Sequence, residues 1–92
     1  MVEEWLEVMI ENEELEGCLL LEPRDQYDQA LVGVVRRCGQ HPVLVYDREL
    51  LVEALIGMGH SHPEAMEWID HNIEGCWVGD GTPGVLDKVQ EL

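Results

Sequence analysis

The most obvious candidates for zinc ligands lie within one stretch of the sequence: His60, His62, Glu64, His71 and Cys76. Zinc requires three or four such ligands converging in a tetrahedral arrangement. The spacings match neither paired C-x-x-C motifs nor H-E-x-x-H, the patterns that indicate such convergence. A His-x-His pair at a helix start is more typical of polar capping. The sequence therefore predicts no metal site, and it indicates no other cofactor.

Nucleophilic catalysis would need a cysteine or serine with a histidine in reach. Cys76 follows a glycine that ends a predicted helix, but no local catalytic signature surrounds it. The glycine-rich segment 79–84 (GDGTPG) lacks the Lys-Ser/Thr pair of a phosphate-binding loop, and its aspartate would repel phosphate. We therefore assign no catalytic residue and favour a binding protein over an enzyme.

A small polar ligand site that includes Asn72 is a second hypothesis. Asn72 shares the predicted inward face of its helix, where an amide without a hydrogen bond costs about 1–3 kcal/mol. It could tie down the backbone of segment 75–82. Alternatively, it could converge with Tyr46, Asp47 and Thr82 at one end of the sheet and bind a small ligand.

The balance of charge is the least ordinary property of the chain. Twenty acidic residues face five basic ones, for a formal net charge of −15. Half of the acids lie between Glu3 and Asp28, where Arg24 is the only base. Such a field repels nucleic acid and attracts a basic surface. We therefore expect a protein partner with a basic surface, and no direct binding of nucleic acid.

The partner-binding surface predicted from this charge lies on the first helix. Its proposed residues are Glu3, Glu4, Glu7, Glu11 and Glu14. An acidic surface of this kind could occupy the nucleic-acid channel of another protein as a decoy. Two simpler readings stay open: a solvated face that keeps the protein soluble, or adaptation to high salt.

The elements that position these residues follow from apolar spacing. Val2–Glu16 carries an i, i+3, i+4, i+7 apolar stripe and ends at Gly17, which predicts an amphipathic helix. A homo-oligomeric structural component, held together by Trp5, Met9 and Ile10, is a further alternative from this helix.

The middle of the chain alternates between predicted helix and strand. Residues 18–21 read as a strand or extended connector, and apolar residues at helical spacing predict a helix from Tyr27 to Cys38. Val43–Tyr46 (VLVY) is rich in residues that favour strands. Asp47 is positioned to cap a helix over 48–58.

The second half of the chain is predicted in the same way. Ser61 and Glu64 form an S-x-x-E capping box for a helix over 62–74. Residues 76–78 are a third strand candidate, and Thr82-Pro83 would open a closing segment with its apolar residues on one side.

These elements predict one α+β domain over residues 1–92, dominated by four or five helices with two or three short strands. No apolar run approaches the roughly 18 residues of a membrane span. The first residues carry glutamates where a secretory signal carries Lys or Arg. Three widely spaced cysteines agree with a reducing compartment. We therefore expect a cytosolic protein without membrane association.

One stretch of the chain carries a composite motif. It reads Y-D-x-A-L-x-G from Tyr27, P-V-x-x-Y-D from Pro42, and N-x-x-G-x-W-V-G-x-x-T-P from Asn72, with Gly59 and Glu64-Ala65 between. This pattern resembles a family of small uncharacterised proteins of tailed bacteriophages, whose core would correspond to about residues 18–86. The resemblance implies a phage origin and a place in the host cytosol, and it implies no activity.

Together these features favour a small acidic accessory protein that acts by binding a host or phage protein, for example as an inhibitor of a host enzyme. The chain departs from the family pattern at both ends: its first helix is more acidic, and Lys88–Leu92 would extend the domain as helix. The alternatives are the small-ligand site and the homo-oligomer described above.

Overall fold

Four α-helices and three short strands make up the part of the chain that the computed structural model describes, residues 2–13, 17–74, 79 and 81–89. In chain order they are α1 (Val2–Glu11), α2 (Arg24–Tyr27), a 3₁₀ turn (Asp28–Ala30), β1 (Leu31–Val35), β2 (Val43–Asp47), α3 (Arg48–Gly57), α4 (His62–Ile69), a π-helical turn (Asp70–Glu74) and β3 (Gly84–Leu86). The predicted α+β class, with a small sheet among helices, is confirmed.

The sheet is built around β2, which lies between the other two strands. β1 runs antiparallel to β2, with a register irregularity between Leu31 and Gly33. β3 runs parallel to β2 and pairs Val45 with Gly84. A parallel pair requires a long crossover, and α3 and α4 provide it. The Glu22–Pro23 peptide bond, before α2, is cis.

The core lies against one face of the sheet. Leu44 and Tyr46 of β2 point to this face, and so do Leu31 and Val34 of β1 and Val85 of β3, because paired residues share a face. α3 and α4 pack against each other and supply the other half of the core. Their buried side chains are Leu51, Val52, Leu55, Ala65 and Ile69.

Both predicted helix caps are confirmed. Asp47 Oδ1 accepts a hydrogen bond from the backbone N–H of Leu50 (3.1 Å) and starts α3. Ser61 and Glu64 form the reciprocal capping box at the start of α4. Gly59 follows α3 with a φ of 105°, a conformation that favours glycine and stops the helix.

The prediction of a helix from Tyr27 to Cys38 is wrong. The chain makes only α2 and the 3₁₀ turn before it extends into β1. Only the first part of the predicted stripe is buried: Tyr27, Ala30 and Leu31 are in the core, whereas Val35 and Cys38 are exposed. Residues 32–35 (VGVV) combine β-branched side chains with a glycine, a composition that favours strand over helix.

The end of α4 also departs from the prediction. The helix over 62–74 is present, but its last five residues form a π-helical turn. The wider turn keeps Ile73 buried and leaves Asn72 exposed, so the prediction that Asn72 faces inward is wrong.

The remaining predictions concern the connector after the first helix and the segments near the chain ends. Residues 18–21 form an extended connector. The closing segment begins with β3, an element that the sequence analysis did not predict. The strand candidate 76–78 and residues 14–16 of the first predicted helix lie outside the described residues.

Candidate functional site

Helix α1 presents two different faces. Leu6 and Met9 are buried in the core, and Trp5 packs partly against it. The opposite side carries Glu4, Glu7 and Glu11, all exposed. The apolar stripe predicted from the sequence therefore anchors the helix and fixes which carboxylates reach solvent.

Two aliphatic side chains flank these carboxylates, Val8 beside Glu4 on one side of the helix face and Ile10 beside Glu7 on the other. Val8 is 54% exposed and Ile10 is 53% exposed, the largest exposed fractions among the large apolar side chains described before β3. Val8 lies one turn from both Glu4 and Glu11, so it shares their side of the helix. We call Glu4, Glu7, Val8, Ile10 and Glu11 the α1 outer face.

The charge of the α1 outer face is not neutralised within the described part of the chain. The described ion pairs involve Arg24, Arg48 and Lys88, and none reaches α1. Like charges three and four residues apart, as at Glu4/Glu7 and Glu7/Glu11, each destabilise a helix by a few tenths of a kcal/mol. A basic partner would relieve this repulsion. The side chain of Glu3 and all of Glu14 lie outside the described residues.

The surface predicted to hold a homo-oligomer together is mostly used within the chain. Met9 is buried and Trp5 is half-buried against the core, so only Ile10 of that set is exposed.

A reciprocal charge clamp fastens the segment after β3 to the start of α3. Lys88 Nζ lies 3.0 Å from Asp47 Oδ2, and Arg48 Nε lies 2.9 Å from Asp87 Oδ1. Arg48 also contacts Asp70 Oδ1 of the π-helical turn (3.2 Å). Two adjacent residues of one segment thus pair crosswise with two adjacent residues of the other, each aspartate with the cation of the other segment.

The clamp has a buried half and an exposed half. Asp47 is 1% exposed, whereas the Lys88 side chain is 59% exposed. Burial acts to raise the pKa of Asp47, but the hydrogen bonds from Lys88 and from the backbone of Leu50 outweigh it and hold that pKa below its ordinary value. The same pairing raises the pKa of Lys88. Both groups are therefore charged at neutral pH.

A groove of about 230 Å³ brings two of the four predicted polar residues together. Asn72 and Thr82 both line it. The other lining residues are apolar: Leu19, Leu20, Leu21, Ile73 and Pro83. The Asn72 Nδ2 donates to the Trp68 carbonyl (3.2 Å), and the Thr82 hydroxyl donates to the Gly79 carbonyl (2.7 Å).

Tyr46 and Asp47 do not line this groove. The hydroxyl of Tyr46 accepts a hydrogen bond from the Leu21 N–H (2.9 Å), so Tyr46 supports one wall from behind. Leu19 N–H donates to the Gly81 carbonyl (3.0 Å), which closes the wall onto the segment before β3. A side chain at Gly81 would overlap the Gly17 carbonyl oxygen, so this close approach requires glycine there.

The histidine group singled out by the sequence is partly brought together. His60, Glu64 and His71 line a shallow groove with Glu67, Trp68 and Asn72. Among the described residues, no group of three or more His, Cys, Asp or Glu side chains is arranged to hold a metal ion. Cys76 lies outside them. Likewise, no helix in the described ranges is long and apolar enough to cross a bilayer.

Comparison with known proteins gives no family assignment. No protein-family model, no curated protein and no solved structure matches the chain. The resemblance to small phage proteins therefore stays a prediction, and function must be argued from the surfaces described above.

The clamp is the feature that the sequence analysis missed. Its signal is present as two adjacent pairs of opposite charge, Asp47-Arg48 and Asp87-Lys88, the second containing the only lysine of the chain. The pairing is visible only once the parallel register of β2 and β3 sets the two pairs side by side.

Proposed function

We propose that this protein binds another protein through the α1 outer face, and that the partner offers a basic surface with apolar contacts on either side of it. The observation that carries this proposal is the combination of three carboxylates, without a described basic neighbour, and two exposed aliphatic side chains on one docked helix.

The two kinds of side chain have separate roles in this proposal. Exposed carboxylates at an interface rim steer the encounter, and each contributes roughly 0.2–1 kcal/mol. Val8 and Ile10 supply apolar area that binding would remove from water, at about 25 cal/mol per Å². A face kept only for solubility would gain nothing from them.

The setting of this function rests on the resemblance to phage proteins. A protein of that kind would act in the cytosol of the host cell, on a host or phage protein. A nucleic-acid-handling enzyme is the partner class that fits best. Its channel is lined with basic side chains, whereas this chain is strongly acidic overall. Occupying such a channel would inhibit the enzyme.

The test compares two triple variants that remove the same charge. Glu4→Gln/Glu7→Gln/Glu11→Gln neutralises the α1 outer face, while Glu22→Gln/Glu53→Gln/Glu67→Gln neutralises three exposed glutamates elsewhere. Wild type captures the partner from host lysate, and affinity is then measured with the purified partner. We expect the first variant to weaken binding about tenfold and the second by less than about threefold.

Two further measurements complete the test: the dependence of affinity on ionic strength, and the effect of removing the two exposed aliphatic side chains. Affinity should fall as ionic strength rises, because exposed charges are screened beyond about 8 Å at 0.15 M. Val8→Ala/Ile10→Ala should weaken binding with the salt dependence unchanged. Equal losses in the two triple variants would show that only net charge matters and would contradict an α1 interface.

A second candidate function is binding of a small ligand in the groove between Asn72 and Thr82. The observation favouring it is that these two predicted site residues line one mostly apolar groove. Its volume is below the roughly 300–1,000 Å³ of drug-sized sites, so the ligand would be small. The described lining residues include no titratable side chain, which suits binding better than acid–base catalysis.

If the groove binds a ligand, Asn72→Ala should abolish binding and leave the fold intact, because Asn72 is exposed and its described hydrogen bond is to Trp68 of the same helix. The probe is a set of fragments of about ten non-hydrogen atoms, screened by amide chemical shifts of residues 19–21 and Thr82. Asn12→Ala, another exposed amide, is the matched control. Fragments that shift the same amides in Asn72→Ala as in wild type would exclude Asn72 from the site.

A further inference from the structure

Strand β1 forms one edge of the sheet, and its other side has no strand neighbour in the described ranges. An edge strand presents unpaired N–H and C=O groups that can pair with another strand. Proteins commonly protect such edges with lysine, proline or inward-facing charges. Residues 31–35 (LVGVV) contain none of these, and the protection that β1 does have is its short length and the register irregularity at its start.

The side chains of this edge are exposed as well. Val32 is 47% exposed and Val35 is 41% exposed. An approaching strand would cover these exposed apolar atoms.

The charges at the two ends of β1 are of opposite sign. The strand is followed by exposed Arg37 and preceded by the α2 segment, where Asp25 is exposed and has no described ion-pair partner. Because antiparallel strands set the start of one against the end of the other, such a strand is complementary to itself. Pairing about Gly33 would place Leu31 opposite the second copy's Val35, and it would set the Arg37 end of one strand beside the α2 end of the other.

From these observations we propose that the protein forms a homodimer by antiparallel pairing of β1 with β1 of a second copy. The two sheets then join into one of six strands, and a two-fold axis passes near Gly33. The Arg37–Asp25 contact forms twice across this axis. The interface is distinct from the α1 outer face, so it neither requires nor excludes the proposed partner.

The strength expected of this dimer is modest. A pair of five-residue strands buries less than the roughly 800 Å² per partner of a standard stable interface. The net charge of −15 on each copy also opposes association. We therefore expect dissociation in the micromolar to millimolar range, and tighter association as added salt screens the overall repulsion.

Sedimentation equilibrium between about 1 µM and 1 mM chain tests the proposal. Wild type should pass from monomer to dimer in this range. Val32→Lys and Val35→Lys place a charge on the edge and should shift the transition at least tenfold towards monomer. Ile56→Lys, which changes a similarly exposed aliphatic residue on α3, should leave it unchanged.

Charge exchange separates the interface from a folding defect. Arg37→Glu and Asp25→Lys should each weaken the dimer, and the variant carrying both should restore it, since the pair is then reversed across the axis. A wild type that stays monomeric at about 1 mM would overturn the proposal. So would a dimer lost in Ile56→Lys and kept in both β1 variants, or the absence of rescue by the charge exchange.

Discussion

Replacing Asp47 with alanine should lower the free energy of unfolding by about 2 kcal/mol, with a fall of about 10 °C in the melting temperature. Two contributions add. Loss of an N-cap costs about 1 kcal/mol, and Asp47 caps α3 through Leu50. Loss of the charge-assisted contact with Lys88 contributes the rest. This second contribution is small because alanine also removes the cost of burying a carboxylate that is almost fully buried.

Substitutions at the two ends of the ion pair separate these contributions. Asp47→Asn keeps a good capping residue and removes only the charge, so it should cost about half as much as alanine. Lys88→Met leaves the buried carboxylate without its cation and should destabilise the protein, whereas Lys88→Arg should be tolerated. If Lys88→Met unfolds at the same denaturant concentration as wild type, the clamp contributes nothing.

The pH dependence gives an independent check. The pKa of Asp47 is lower in the folded protein than its ordinary value of 3.8. A depressed carboxyl pKa contributes stability that is fully present above the unfolded value and is lost as the pH falls through the folded value. The difference in stability between wild type and Asp47→Asn should therefore be constant from neutral pH to about pH 5 and shrink below about pH 4.

The sequence predicted well wherever one residue determines a local structure. Asp47 and Ser61 can each cap only the helix that follows them, so both caps could be read directly. Gly59 marks a helix end because its φ of 105° is unfavourable for other residues. Such signals depend on neighbours within four residues, which the sequence shows in full.

Prediction failed where two different backbone conformations bury the same residues and so fit the same apolar pattern. Tyr27, Ala30, Leu31 and Val34 do face the core, but a short helix followed by a strand buries them as well as a single helix would. Similarly, the exposure of Asn72 depends on the π-helical turn, and no residue near it in the sequence predicts that turn. The groove and the clamp depend on the pairing of β3 with β2, a contact between residues about 40 positions apart.

Replacing Tyr27 with alanine should have the largest effect of any single change considered, a loss of about 4 kcal/mol in the free energy of unfolding. Tyr27 is 2% exposed, and its ring stacks on Trp68 with centroids 6.2 Å apart and planes 18° from parallel. It holds the end of α2 against α4, at the point where the chain turns towards β1. Since small domains are stable by only about 5–15 kcal/mol, this loss should leave the variant partly unfolded near 37 °C.

The stacked pair can be isolated by a double-mutant cycle with Trp68→Ala. The sum of the losses in unfolding free energy of the two single variants should exceed the loss in the double variant by about 1 kcal/mol, the usual coupling of an aromatic pair. Tyr27→Phe keeps the ring and should remain folded, with its near-ultraviolet circular dichroism preserved. A cycle with no coupling would mean that Tyr27 acts only by filling volume. In that case the junction between α2 and α4 would depend on the apolar core and not on the ring stack.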